Sequence, residues 1–192
     1  MRKFIKNKLS VVIFLAVVSP ANLSITCSEC DDGDPLLNDP GIQQAFFELW
    51  QNSGTDLPLH KRSEQGAWIV HQENSGYKVI PFPGGWLSTP CEIMIPDNFY
   101  DVIPENIVSV VHTHPFNEGD DTTPPDVCGS ESTESYISGG NIMDHRFLIQ
   151  IANHLSDYCL KSYVIDGENI ISMTTLGTLT YYPVQAVLSE IY

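Results

Sequence analysis

Ile107-Val108-Ser109-Val110-Val111-His112-Thr113-His114-Pro115 (IVSVVHTHP) decides how this chain is read. Apolar β-branched residues run from Ile107 to Val111 with one serine among them. A short apolar run without alternation belongs to a strand buried on both faces. The imidazoles come only where that run ends. In an extended chain residues i and i+2 point to the same side, so His112 and His114 face one way. Pro115 cannot donate to a ladder and stops the strand there. Two like-facing imidazoles at a strand exit form a candidate metal pair. Neutral imidazole is the commonest metal nitrogen, and zinc takes His and carboxylate donors in a tetrahedron.

The elements on either side predict an α/β fold. Asp39 is a good N-cap and Pro40 suits the first helical position; Ile42, Ala45, Phe46, Leu49 and Trp50 follow at helical spacing, and Gly54 closes the helix. Gly66–Val70 and Tyr77–Ile80 read as two strands of a hairpin around Asn74-Ser75-Gly76. Residues 81–90 (PFPGGWLSTP) read as a Pro/Gly loop, and Cys91–Ile95 as a short strand ended by Pro96. Beyond Pro115 a long polar stretch runs to residue 141; a stretch of that length is functional or disordered. A helix follows over Ile142–Leu155, with Phe147, Leu148, Ile151 and Leu155 on one face. Ser162–Ile165 and Ile170–Met173 are strands about an Asp166-Gly167 turn, Thr178–Tyr182 is another strand, and Val184–Ile191 a short terminal helix. Helices alternating with strands predict a sheet with helices packed on it.

A catalytic zinc site has three protein ligands and an open position for water. Asp144, in the first turn of the second helix, is the best third ligand, with His145 as the neighbouring alternative. The water also needs a general base. Glu64 is the choice, because it opens the first hairpin strand (Ser63-Glu64-Gln65-Gly66-Ala67-Trp68), where a strand end can face the metal.

Glu64, His112-Thr113-His114-Pro115 and Asp144 together resemble the JAMM (JAB/MPN) metallopeptidase superfamily, whose pattern is an upstream Glu, His-x-His-Pro, then Ser-x-x-Asp. The resemblance covers roughly Glu64 to Tyr182, and Val164-Ile165-Asp166-Gly167 looks like a further landmark of small bacterial JAB-like domains. It implies a deaminase-like layered α/β sandwich, a mixed central sheet flanked by helices. It also implies zinc-dependent hydrolysis of an amide or isopeptide bond in a protein or peptide substrate. His112, His114 and Asp144 would hold the zinc, and Glu64 would move the proton. Two departures stand out. The interval after Pro115 is far longer than the family's, and it carries Cys128 with the acids Glu118, Asp120, Asp121, Asp126 and Glu131. Asn141 occupies the family's Ser position (Asn-x-x-Asp); its amide can donate a hydrogen bond to an oxyanion, as the serine does.

Those departures support a second reading, a JAB-like binding or immunity-type protein that keeps the metal and has lost turnover. Other hydrolase patterns fit less well. Peptidoglycan metallopeptidases need an upstream His with its own Asp, and neither His60 nor His71 sits in the His-x-x-x-Asp form. A zinc deaminase needs Glu between its first ligands and Pro-Cys-x-x-Cys after them, and both are missing. Cys91 heads an apolar strand rather than a helix, so a disulfide role outweighs a nucleophilic one.

Composition bounds where such a protein works. The 192 residues carry 9 Lys+Arg against 24 Asp+Glu, a formal charge of -15. That balance argues against nucleic acid as a partner, which needs a clustered basic face. Arg2, Lys3, Lys6 and Lys8 precede the uncharged run Leu9–Val18, and Ser19-Pro20-Ala21 follows: the pattern of a secretory signal peptide over residues 1–21. The run is too short to span a bilayer, which takes about 20 apolar residues, so no transmembrane span is expected in the mature chain. Ser24-Ile25-Thr26-Cys27 loosely resembles a bacterial lipobox, which would move the cut to residue 26 and place a lipid on Cys27. Removing residues 1–21 takes four of the nine basic residues and no acid, leaving five against 24 and a formal charge of -19. Residues 22–38 read as an acidic tether and 39–192 as the domain. An exported chain meets an oxidising compartment, the periplasm, outer-membrane surface or exterior, where its five cysteines can pair.

Overall fold

The computed structural model describes residues 34–73, 76–84, 86–116, 142–157 and 159–189. Residues 1–33, with Cys27 and Cys30, lie outside them, and so do Cys128, the acidic stretch after Phe116 and Asn141.

A six-stranded mixed sheet forms the centre. Its strands are β1 (Gly66–Gln72), β2 (Gly76–Pro81), β5 (Ile107–Thr113), β6 (Lys161–Ile165), β7 (Asn169–Thr174) and β8 (Leu179–Pro183), and they lie in the order β2-β1-β5-β6-β7-β8. The pair β5–β6 is parallel and the other four are antiparallel. The parallel pair is joined by a crossover that contains helix α2 (Ile142–Leu155), because parallel neighbours cannot be linked by a tight turn.

The chain enters through a 3-10 turn at Pro35–Asn38 and helix α1 (Pro40–Asn52). Asp39 caps α1 by accepting hydrogen bonds from the backbone N–H groups of Gly41 and Ile42 at 2.8 and 3.1 Å. Gly54 follows the helix with φ of 74°, the left-handed conformation that a helix terminator requires. Part of the expected tether belongs to the domain. Leu36 and Leu37 are buried in the core, and Asp34 accepts a 2.6 Å hydrogen bond from the Tyr163 hydroxyl. The sequence hid this because two leucines among acids and turn formers carry no periodicity.

Strand alternation divides the interior in two. Ala67, Ile69, Val111, Tyr163 and Ile165 face α1, where Ile42, Phe46, Leu49 and Trp50 cover them. Trp68, Val70 and Val110 face the other way, onto Leu148, Ile151 and Ala152 of α2. The sheet therefore has a helix on each face. Each fully buried large apolar side chain contributes roughly 1.5–3 kcal/mol, so Leu148 and Ile151, both fully buried, fix α2 on the sheet. The apolar face read for α2, Phe147, Leu148, Ile151 and Leu155, is the face that packs.

Three local readings differ. Residues 81–95 hold more than a loop and one strand. β3 (Leu87–Ser88) and β4 (Ile93–Met94) pair antiparallel as a separate two-stranded sheet. Two-residue strands are too short to show alternation. Strand β1 begins at Gly66, so Glu64 stands two residues before it rather than opening it. The terminal helix, α3, covers Val184–Val187 of the expected 184–191. No helix among the described residues is long and apolar enough to cross a membrane.

Candidate metal centre

The site forms where β1 begins and β5 ends. Gly66 pairs with His112 across the β1–β5 ladder. Outside the ladder, Thr113 N–H donates to the Gln65 carbonyl at 2.9 Å, and Gln65 N–H donates to Thr113 Oγ1 at 2.9 Å. Continuing that register sets Glu64 opposite His114. Residues 64, 66 and 68 share one face, as do 110, 112 and 114, so the acid and both imidazoles lie on the α2 side. The other flank is fixed by β6: His112 pairs with Val164, and His114 N–H donates to the Ile165 carbonyl at 2.8 Å. A site at the carboxyl end of parallel strands lies where open α/β sheets generally bind ligands.

The side chains converge. His112 Nε2 and His114 Nε2 are 3.1 Å apart. Asp144, in the first turn of α2, places Oδ1 3.4 Å from His112 Nε2 and Oδ2 3.7 Å from His114 Nε2. Glu64 is buried, and its carboxylate and the two imidazole nitrogens lie within 4.8 Å of one another. Tetrahedral zinc with bonds of about 2.0–2.1 Å has ligand-to-ligand edges of about 3.3 Å. The separations among His112, His114 and Asp144 bracket that value. The buried group Glu64, His112 and His114 can hold a metal ion.

Electrostatics distinguish the two imidazoles. Burial pulls the His112 pKa down, but the Asp144 charge and hydrogen bond, with the Glu64 charge, outweigh it and leave it raised. Burial, followed by repulsion from His112, lowers His114 to about 4, although Asp144 opposes the shift. His114 is therefore neutral at ordinary pH, the state in which an imidazole ligates metal.

The backbone around Glu64 is held from several directions. Glu64 N–H donates to the Thr89 carbonyl at 2.8 Å, and the Ser88 hydroxyl donates to the Glu64 carbonyl. The β3–β4 hairpin thus clasps the peptide units of Glu64. Phe82 and Ile93 lie over Gly66: a Cβ built there would be 2.3 Å from Phe82 and 2.9 Å from Ile93. Only glycine allows that approach. Arg62, also buried, donates from Nη1 to the Pro115 carbonyl at 2.9 Å.

Of the residues singled out from the sequence, Glu64, His112, His114 and Asp144 come together here, and Asn141 lies outside the described residues. His145, the alternative to Asp144, is engaged elsewhere, with Nε2 3.0 Å from the Thr175 carbonyl oxygen. Cys91 is disulfide-bonded, which agrees with the structural role expected for it. The sequence reading missed Arg62, Ser88 and Thr89. The one signal was Pro115, whose missing N–H ends regular pairing, but no residue pattern reveals that its carbonyl is met by a side chain 53 residues earlier.

No known family model matches this chain, and no curated protein is significantly similar to it.

Proposed function

We propose that this protein is an exported zinc-dependent hydrolase of amide or isopeptide bonds, built on the layered α/β plan of the JAMM (JAB/MPN) metallopeptidases. The observation that carries the reading is the placement of two carboxylates against one imidazole pair, with Glu64 from the segment leading into β1 and Asp144 from the first turn of α2. One carboxylate completes a ligand set and the other remains for proton transfer.

His112, His114 and Asp144 are the ligands in this reading. The donor set of two imidazoles and a carboxylate suits zinc, which supplies Lewis acidity and makes water acidic enough to attack near neutral pH. Glu64 accepts the proton of the attacking water and returns it to the leaving amine. Burial of Glu64, with its peptide units held by Ser88, Thr89 and the neighbouring Gln65–Thr113 pair, keeps the carboxylate aimed. By the resemblance, Asn141, which takes the Ser position three residues before Asp144, would be the oxyanion donor. The disulfide at Cys91 supports an oxidising compartment, in agreement with a signal peptide over residues 1–21.

The test uses the zinc-loaded protein on isopeptide-linked and cell-wall peptides, with Glu64→Gln as the blank. Hydrolysis by the native protein that falls by about 10²-fold or more in Glu64→Gln, at unchanged zinc content, supports the reading. Zinc binding with no turnover on any peptide replaces it with a non-catalytic binding protein.

A further inference from the structure

We infer that Arg62 is a positioning residue for the metal centre, holding the segment that carries Glu64 against the segment that carries His114. The inference rests on the metal site proposed above and concerns what sets its geometry.

The regular β1–β5 ladder ends at Gly66 and His112. Beyond it the two segments need other ties. The Gln65–Thr113 pair supplies one, on the ladder side of Glu64 and His114. On the far side Pro115 has no N–H, so its residue cannot exchange the two hydrogen bonds of an antiparallel pair. Its carbonyl still needs a donor, because Pro115 is buried. Arg62 supplies that donor: Nη1 reaches the Pro115 carbonyl at 2.9 Å while Nε donates to the Leu57 carbonyl at 2.8 Å. Glu64 and His114 thus lie between two cross-links, Gln65–Thr113 and Arg62–Pro115.

The guanidinium suits this task. Its donors are fixed in one planar fork, so a single side chain can serve two carbonyls whose separation it then sets. Leu57 lies in the loop that follows α1, so the same fork ties that loop to the exit of β5. A lysine ammonium carries the charge without that rigid fork. The contacts that Arg62 supplies are polar ties to the Leu57 and Pro115 carbonyls, so loss of the fork acts first on the two segments they join.

The experiment measures zinc affinity by competition with a chromophoric chelator, and the visible absorption of the cobalt(II)-loaded protein, for native protein, Arg62→Gln, Arg62→Lys and Tyr163→Phe. Tyr163→Phe removes the hydrogen bond to Asp34 at the α1 face of the sheet and serves as a control for general loss of stability. The expected result is one zinc per chain in all four, with affinity about 10–100-fold weaker in both Arg62 variants and a changed cobalt spectrum. Tyr163→Phe lowers the unfolding midpoint and leaves affinity and spectrum as in the native protein. Native affinity and spectrum in Arg62→Gln overturn the inference while the site stands. If both Arg62 variants fail to fold, Arg62 supports the whole fold and the inference also fails. No zinc binding by the native protein removes the site itself.

Discussion

Asp144 Oδ1 stands 3.4 Å from His112 Nε2, although the whole polar stretch after Phe116 separates the two residues in sequence. The parallel pairing of β5 with β6 makes this meeting possible. A parallel connection must return along the sheet, and α2 does so with its first turn over the end of β5. Asp144 is therefore placed by the packing of Leu148 and Ile151, one and two turns further along the same helix face. Replacing Asp144 by Asn keeps its size and one oxygen acceptor but removes the negative charge. Zinc affinity of Asp144→Asn, measured by chelator competition, is expected to fall by at least tenfold, with the fold unchanged by circular dichroism. Unchanged affinity would exclude Asp144 as a ligand.

Gly66→Ala tests the close approach beside Glu64. The new Cβ would meet the Phe82 ring at 2.3 and 2.4 Å, distances that real contacts do not reach. Overpacking of this kind costs roughly 1–3 kcal/mol. Urea unfolding is expected to show that loss, and Phe82→Leu in the same chain is expected to recover part of it. If the two substitutions are strictly additive, the clash does not operate.

Acid stability of the metal-free protein follows from His114. Its folded pKa, about 4, lies below the ordinary value of 6.5. Between these values the unfolded chain binds a proton that the folded chain refuses. The contribution of neutral His114 is thus complete above pH 6.5 and is lost as pH falls toward 4, at about 1.4 kcal/mol for each pH unit crossed. His112 acts in the opposite sense. Its raised value reflects charge attraction from Asp144 and Glu64, so its contribution is present below pH 6.5 and is lost as pH rises through the folded value. Denaturant unfolding of native protein and His114→Ala at pH 7, 5.5 and 4.5 separates them: the native protein should lose more stability on acidification than the variant. Parallel profiles would show that His114 does not carry the acid limb.

Alkaline stability reports on the opposite face of the sheet. Burial, and then the charge and hydrogen bond of Asp34, push the Tyr163 hydroxyl well above its ordinary value. That contribution is complete below pH 10 and declines as pH rises further, because the unfolded chain ionises first. Tyr163→Phe should flatten this decline in unfolding measured between pH 9 and 11. An unchanged slope would assign the decline to other groups.

Much of this arrangement was legible in the residues, for physical reasons. The two-residue period makes His112 and His114 face one way whatever the surroundings, and the run Ile107–Val111, apolar but for Ser109, marks a strand covered on both sides. The second helix was readable to its ends because its apolar face must match the sheet. The clasp on Glu64 was not. Ser88 and Arg62 donate from their side chains to backbone carbonyls, and Thr89 accepts through its own carbonyl; the backbone partner of such a bond leaves no trace in residue type or spacing. The burial of Leu36 and Leu37 was equally hidden, since a 3-10 turn of four residues is too short to show a face.

The most direct test of the central claim is metal content. Protein purified without chelator, loaded with zinc and desalted, is analysed by atomic emission beside His112→Ala and His114→Ala. One tightly held zinc per chain is expected in the native protein, with loss of it in both variants, which remain folded. Native protein that retains no zinc, or a His114→Ala protein that retains as much as the native, would contradict it.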